Sequence, residues 1–247
     1  MRAAPGPVRF ARYAFGPNQL GYCGPDEAGD LFAQATSLGN LGRLRELAAQ
    51  FEGAFPYLAL IAASSGRPDP LDDAVVESYW LGGPLSDAVR PRQLGGSLDE
   101  RFRRRIRGNQ WRWLATTAEA GAAPNHAFHV LDVFPKVGLM RSGEIDRVLE
   151  TMDRCRVRWG RVLERDGDSL VVSAVPLQLV GGKLELAPAR VERIRGWLDG
   201  AGFVEDVVAG DVVSIHWDWA CERLDPQRLE LLRGATEREL AIANRTI

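Results

Sequence analysis

The sequence predicts an α+β protein: a mainly helical domain over residues 1–152, then a small OB-like β-barrel with a C-terminal helix over residues 153–247. The first observation behind this prediction is a change near residue 150 from the apolar spacing of helices to the alternation of strands. The second is a pair of turn signals, Asp166-Gly167 and Gly181-Gly182, each flanked by short apolar runs. A chain of 247 residues is long enough for one or two domains with buried cores.

Apolar residues at helical spacing predict the elements of the first domain. The predicted faces are Leu31/Phe32/Ala35/Leu38, Leu41/Leu44/Leu47/Ala48/Phe51, the run 57–63, and Val75/Val76/Tyr79/Trp80. Residues 97–100 resemble a capping box, which predicts a helix start at Arg101. The tripeptide at 142–144 predicts the start of the last helix of this domain.

Short alternating runs predict the strands of the barrel. The predicted strands are one that starts at Cys155, then 169–175, 177–180, 183–186 and 212–216, the last of them. The intervening stretch 190–198 has weak helical spacing and is interpreted as an insertion. Asp225 and Pro226 predict the cap of a closing helix from Gln227 to about Ala243.

Composition excludes several functional classes. A formal net charge of −2 disfavours general binding to polyanions such as nucleic acids. Three widely spaced cysteines do not make a disulfide framework, so a reducing cytoplasm is the expected compartment. We expect no membrane partner, because no apolar run approaches the ~18 residues of a membrane span and no secretory segment follows Met1.

The leading candidate for chemistry is the pairing of Cys155 with His216. If Cys155 starts the first strand and His216 ends the last, the two side chains should meet at one end of the barrel. A soft thiolate suits iron that carries strong-field ligands, and a nearby imidazole can be a second ligand or a proton acceptor. The alternative is that both residues serve the fold and bind nothing. Cys221, near His216, is interpreted as a packed core residue.

Cys23, His126 and His129 are further candidates for a metal site at the domain junction. Cys23 lies between two glycines ahead of a predicted helix, whose dipole could stabilise a thiolate; the alternative is a structural cysteine in a turn. His126 and His129 share a face only if their segment is helical, and residues 130–135 look like a strand. The alternative for each imidazole is an interior hydrogen bond to backbone.

A basic and aromatic cluster over residues 101–113 could neutralise and stack on RNA. Its members are Arg101, Arg103, Arg104, Arg105, Arg107, Trp111, Arg112 and Trp113. A solvated helix face, or a docking patch for an acidic protein, is the preferred interpretation, with Phe102 and Ile106 on the buried side.

Two blocks of the C-terminal part resemble the HypC/HupF family of assembly chaperones for nickel–iron hydrogenases. That family begins Met-Cys-Leu-Ala-Ile-Pro-Gly-Lys-Val, and residues 155–162 read Cys-Arg-Val-Arg-Trp-Gly-Arg-Val, followed by an acidic-Gly turn. The family's second block, Gly-Asp-Tyr-Val-Leu-Val-His-Ala-Gly-Phe-Ala, is similar to residues 210–220. The resemblance covers residues 155–243. The whole chain, with Gly-Tyr-Cys-Gly-Pro-Asp near its start, also resembles an uncharacterised bacterial family associated with hydrogenase gene clusters.

The resemblance implies a carrier that holds an iron fragment with its cyanide and carbonyl ligands. It also implies two partners, a HypD-like protein and the precursor of the hydrogenase large subunit. The iron-binding cysteine of the family corresponds to Cys155, and the histidine of its second block corresponds to His216. Cys155 is internal, however, whereas the family cysteine lies at the mature N-terminus. No cofactor is expected apart from the carried iron.

Three hypotheses therefore stand. The first is an accessory assembly protein that binds iron or a maturation partner without turnover. The second is a metal-dependent enzyme with Cys23, His126 and His129 in a site at the domain junction. The third is an OB-type nucleic-acid-binding module that uses the basic cluster, which the near-neutral charge disfavours.

Overall fold

The computed structural model of the protein describes residues 4–106, 108–137 and 145–245. Most helices come first, the strands follow, and one helix closes the chain. The helices are α1 (Gly6–Gln19), α2 (Ala28–Ser37), α3 (Leu41–Ala49), α4 (Phe55–Ser64), α5 (Asp73–Leu81), α6 (Pro84–Asp87), α7 (Pro91–Phe102), α8 (Gly108–Thr117), α9 (His126–Phe128), a π-helical turn (His129–Val133), α10 (Phe134–Val137), α11 (Ile145–Cys155) and α12 (Pro226–Ala243). The strands are β1 (Arg158–Asp166), β2 (Ser169–Ala174), β3 (Leu177–Val180), β4 (Lys183–Leu186), β5 (Arg190–Arg195), β6 (Trp197–Leu198), β7 (Ala201–Gly202), β8 (Val212–His216) and β9 (Trp219–Arg223).

Five of the strands form a ring of pairings in the order β1, β2, β5, β9 and β8, with β8 paired back to β1. Four contacts are antiparallel, and β5 meets β9 in parallel at Arg195 and Trp219. The Asp166-Gly167 turn joins β1 to β2 as predicted, with Gly167 at φ +61°. The β3–β4 hairpin, turned at Gly181-Gly182, lies outside the ring. The coarse prediction of a mixed α+β chain with a C-terminal helix is confirmed.

Helix α1 lies at the centre of the molecule. It packs against α2, α3 and α5 and also against β8 and β9. Phe15 of α1 makes an edge contact with Trp219 of β9, with ring centroids 4.8 Å apart. Twelve of its fourteen residues are buried, so α1 is enclosed on nearly all sides.

One hydrophobic core spans the predicted boundary at residue 152. It contains Phe10 and Leu44 from the helical part together with Val157, Trp159 and Trp219 from the strand region. A smaller cluster fills the ring of strands, with members Val162, Leu170, Val172, Ile194, Val213 and Ile215. Helix α12 packs against α5, α9 and the π-helical turn, so it also joins the two parts.

Several boundaries differ from the predictions in the strand region. Cys155 is the last residue of α11 and not the first of a strand, because β1 begins at Arg158. The predicted insertion at 190–198 contains β5 and β6, and β9 follows β8 as a further strand. These strands owe their conformation to cross-strand pairing, which local periodicity does not reveal.

The helical region also contains differences. Residues 130–135, expected as a strand, continue from the π-helical turn into α10. Residues 97–100 lie inside α7 and not at a helix start. Leu38, placed on a buried face, is 60% exposed as the left-handed cap of α2. The helix start predicted at 142–144 lies outside the described residues.

None of the described helices combines the length and apolar character that a transmembrane span requires.

Candidate metal centre

Three side chains from distant parts of the chain converge beside α1. The potential ligand atoms of His126, Cys155 and His216 all lie within 4.8 Å of one another. His126 begins α9, Cys155 ends α11 and His216 ends β8. The side chain of Asn125 accepts a hydrogen bond from the Phe128 amide at 2.9 Å, which starts α9 and orients His126. The structure therefore brings Cys155 and His216 together, the two residues that we expect to meet at one end of the barrel. It adds His126, one of the two histidines considered for the domain junction.

His216 contributes a buried imidazole to this cluster. Its Nδ1 donates a hydrogen bond to the carbonyl oxygen of Tyr13 at 2.6 Å. Its Nε2 is buried and makes no hydrogen bond of ordinary geometry within the described residues. Desolvation, aided by the neighbouring His126, holds the pKa of His216 well below its ordinary value, although the backbone groups of Tyr13 and Cys155 oppose this shift. His216 is therefore a neutral imidazole, the state in which histidine binds metals.

His126 is more constrained, since both of its ring nitrogens have partners. Nε2 donates to the carbonyl oxygen of Cys155 at 2.8 Å, and Nδ1 accepts from the hydroxyl of Tyr79 at 3.2 Å. Burial lowers its pKa to about 4, so it too is neutral near pH 7. To ligate a metal, His126 must give up one of these two bonds. In the present arrangement it fixes the backbone of Cys155, as an outer-shell residue does.

Cys155 supplies the soft donor of the cluster. It is half-buried and is a free thiol. Desolvation raises its pKa to about 12, an effect that the neighbouring Trp217 indole partly offsets. The thiol is therefore protonated at neutral pH, and a metal ion must displace that proton to bind.

Aromatic rings enclose the cluster and keep its surroundings apolar. The centroid of Trp80 lies 4.7 Å from that of His126 and 5.5 Å from that of His216. The two imidazoles meet edge to face with their centroids 4.8 Å apart. Burial of an unpaired thiolate in such a pocket would cost free energy. With a bound cation the cost would be offset, because the thiolate would neutralise part of the charge of the cation.

The donor set fits a borderline or soft transition metal. In a tetrahedral site, a metal that binds sulfur at about 2.3 Å and nitrogen at about 2.0 Å holds neighbouring ligand atoms about 3.3–3.5 Å apart. The three donors lie within 4.8 Å of one another, so a bound metal would draw them together by up to about 1.5 Å. The buried Nε2 of His216, which makes no hydrogen bond of ordinary geometry within the described residues, also favours a ligand here.

Cys23 lies outside this group of three. The residue is exposed, in the turn between α1 and α2. Desolvation raises the pKa of its thiol, contrary to the expected stabilisation of a thiolate by a helix dipole. The reason is that α2 begins at Ala28 and not next to Cys23. The dipole effect is confined to the first turn of a helix.

His129 also lies outside the group, although its helical segment is the conformation that could have paired it with His126. Its Nδ1 is 3.3 Å from the hydroxyl of Tyr57, and its pKa is lowered to about 3 by burial. The guanidinium of Arg101 covers the same Tyr57 ring at 4.2 Å. His129 is therefore half-buried and bonded to a side-chain hydroxyl, whereas the expected alternative, an interior hydrogen bond to backbone, is the bond that His126 makes.

No direct signal in the sequence marks the groups that orient the cluster. Tyr13 acts through its backbone carbonyl, which any residue could supply. Tyr79 and Trp80 were predicted only as part of a buried helix face, and they are buried. Cys221 is buried, as expected of a core residue, and its sulfur contacts the carbonyl oxygen of Trp219 at 3.5 Å.

The fold and the cluster define a class: mixed α+β proteins whose helical and strand parts share a core and enclose a buried Cys/His group. Within that class the chain belongs to DUF6390, a family of unknown function whose model matches residues 2–247. Neither the curated proteins nor the solved structures contain a match.

Proposed function

We propose that this protein is a cytoplasmic accessory factor that binds a transition-metal centre through Cys155 and His216. Iron is the proposed metal, carried as a fragment with cyanide and carbonyl ligands during the maturation of a nickel–iron hydrogenase. The observation that carries the proposal is the convergence of Cys155 Sγ with one ring nitrogen each of His126 and His216, all within 4.8 Å of one another. The resemblance of residues 155–243 to the HypC/HupF family supplies the choice of metal and pathway.

The donor types suit such a cargo. Low-spin iron with π-acceptor ligands is well served by a thiolate, and few protein ligands leave it free to be transferred. Cys155 would supply the thiolate and His216 a neutral nitrogen. His126, once released from Cys155 O, could serve as a third ligand or accept the proton that the thiol loses. In this proposal the ring of five strands is an OB-like barrel that positions Cys155 and His216.

The proposed partners are a HypD-like maturation protein and the hydrogenase large-subunit precursor. A polar groove of ≈ 420 Å³ offers a docking position. Trp217 and Asp218, which directly follow His216, line it together with Arg154, which precedes Cys155. A partner seated there would contact both chain segments that hold the metal ligands.

Metal analysis of the anaerobically purified protein tests the proposal. We expect iron in the native protein and loss of most of it in Cys155→Ala, with Cys221→Ser as the matched control because that thiol lies in the core. Infrared spectra of protein from cells that assemble the hydrogenase should contain bands of metal-bound cyanide and carbonyl. Iron content that is the same in the native protein and in Cys155→Ala would overturn the proposal.

The metal-dependent enzyme is the second candidate, since a polar groove is lined by Arg154 and Trp217, the sequence neighbours of Cys155 and His216. Cys23, His126 and His129, the residues expected in the site of such an enzyme, do not line this groove. The enzyme differs from the carrier in requiring turnover at the bound metal. Catalytic consumption of a small molecule by the metal-loaded protein, lost in Cys155→Ala, would decide for the enzyme.

A further inference from the structure

We propose that the free edge of β5 binds an extended, acidic segment of a partner protein, which adds to the ring of strands as one more strand. The proposal rests on the docking position proposed above and specifies how a partner occupies it. Main-chain hydrogen bonds would supply the affinity, and the basic side chains of β5 would select an acidic segment.

The ring of strands is almost open between β5 and β9. Along its whole length β5 pairs with β2, but it meets β9 at one position only, Arg195 with Trp219. The amide of Arg195 donates to the carbonyl oxygen of Asp218 at 2.6 Å, so the backbone groups of Arg195 point away from β2. Because these directions alternate along a strand, Val191 and Arg193 present their N–H and C=O groups on the same side. No described residue forms a backbone hydrogen bond with these groups there.

The groove of ≈ 420 Å³ lies at this edge. Glu192, Arg193 and Ile194 all line it, although successive side chains of a strand point to opposite faces of the sheet. A space that three successive residues line is therefore beside the backbone and not on one face of the strand. Glu150 and Arg154 of α11 also line the groove, so an added strand would lie between β5 and this helix.

Two buried polar atoms of the groove are suited to a peptide group. Arg158 donates to Glu192 and to the carbonyl oxygen of Trp217, but its Nε makes no hydrogen bond of ordinary geometry within the described residues. Oδ1 of Asp218 is also buried, and Nη1 of Arg154 is 3.7 Å away from it, beyond hydrogen-bond distance. A peptide group carries one acceptor and one donor, so a bound main chain can satisfy both atoms.

The charges of β5 favour an acidic strand over a second copy of this chain. Val191, Arg193 and Arg195 are exposed on the outer face, because Ile194, on the other face, packs inside the ring. Arg193 contacts Asp166, but both side chains are more than half exposed, so water screens this pair. Two β5 edges paired with each other would bring arginines close together. Acidic side chains at alternate positions of a partner strand would instead pair with them.

Fluorescence anisotropy with the labelled peptide Thr-Val-Glu-Val-Glu-Val-Thr tests the proposal. Its two glutamates lie on one face of the extended chain, so they can meet Arg193 and Arg195 together. We expect saturable binding to the native protein. Two control peptides should bind at least tenfold more weakly, one with lysines in place of the glutamates and one N-methylated on its glutamates and valines. If the N-methylated peptide binds as well as the parent, no strand is added and the proposal is wrong.

Two variants at one position separate the backbone from the side chain. Arg193→Pro removes an outward amide, and proline is tolerated at a strand edge where its nitrogen faces solvent. It should bind the parent peptide at least tenfold more weakly, whereas Arg193→Ala keeps the amide and should bind about two- to fivefold more weakly. Circular dichroism checks that both variants fold. Equal affinities of the two folded variants would overturn the proposal, and if Arg193→Pro does not fold, the N-methylated peptide decides.

Two further measurements distinguish the remaining outcomes. A dimer of the native protein in sedimentation, dissociated by Arg193→Pro, would mean that a second copy occupies the edge, and it would overturn the proposal. Cys155→Ala should bind the peptide as the native protein does. Peptide binding by a native protein that holds no iron would refute the metal centre and leave this edge in place, and iron without peptide binding would refute only the edge.

Discussion

Two buried polar regions lie on either side of Tyr13, and they differ in the charges that they contain. On one side, Arg9 of α1 pairs with Glu77 at 3.0 Å and with Glu222 at 3.4 Å. The hydroxyl of Tyr13 donates to Glu222 at 2.7 Å. On the other side, the backbone carbonyl of the same tyrosine accepts from His216, the first contact of the Cys/His cluster.

The first region is charged and the second is neutral, and this difference indicates different roles. The Arg9 network joins opposite charges from α1, α5 and β9, so each charge has a counter-charge within the protein. The Cys/His cluster is neutral, because burial lowers the pKa of both imidazoles and raises that of the thiol. Its nitrogen and sulfur donors are therefore not held by ion pairs, and a metal ion would supply the charge that the cluster lacks. The first region therefore holds the fold together, and the second is suited to binding.

The largest predicted effect tests the first region. Replacing Arg9 by Met leaves Glu222 and Glu77 without their buried partner, which should lower the free energy of unfolding by about 3–5 kcal/mol. The control Arg45→Met breaks a half-exposed pair with Asp69 and should have a much smaller effect. Urea denaturation followed by circular dichroism measures both. Equal losses in the two variants would contradict a stabilising role for the network.

Low pH should decrease the free energy of unfolding through His126 in the second region, because its pKa in the folded protein is about 4. The unfolded imidazole titrates near about 6.5 and so binds its proton first. The contribution of His126 to stability is therefore complete above pH 6.5 and is lost as the pH falls towards 4. Between pH 7 and 4.5 the loss from this residue should be about 2–3 kcal/mol.

The variant His126→Gln isolates this contribution, because it retains an N–H donor for Cys155 O. Its unfolding free energy should fall by about 2–3 kcal/mol less than that of the native protein over the same pH interval. Urea denaturation at pH 7 and pH 4.5 measures the difference. An identical pH dependence in the two proteins would show that His126 is not held neutral by burial.

The smallest predicted effect is on metal affinity, and it is tested by comparing substitutions of two tyrosines. Tyr79→Phe removes the hydroxyl that orients His126, and it should weaken Co²⁺ binding by about 10–100-fold. Tyr13→Phe leaves the carbonyl that orients His216 and should affect stability but not metal affinity. A titration with Co²⁺ distinguishes them. Similar affinities for both variants would show that His126 takes no part in metal binding.

Much of the helical part could be predicted because the buried face of an amphipathic helix appears in the sequence as apolar residues at helical spacing. Val75, Val76, Tyr79 and Trp80 are buried on α5, and Asp225 caps α12 with a hydrogen bond from the Arg228 amide at 2.8 Å. Helix α1 was not predicted, because the glycine and proline residues at both of its ends, Gly6-Pro7 and Gly16-Pro17, are typical of loops.

By itself the sequence determined the change from helices to strands near residue 150, both hairpin turns, the strand that ends at His216 and the closing helix. These features depend on local backbone preference and apolar spacing. Only the tertiary structure decided that Cys155 ends a helix, that His126 and not His129 joins it, and that Tyr13 orients His216. The physical reason is that contacts between residues up to 203 positions apart depend on packing, which no local pattern encodes.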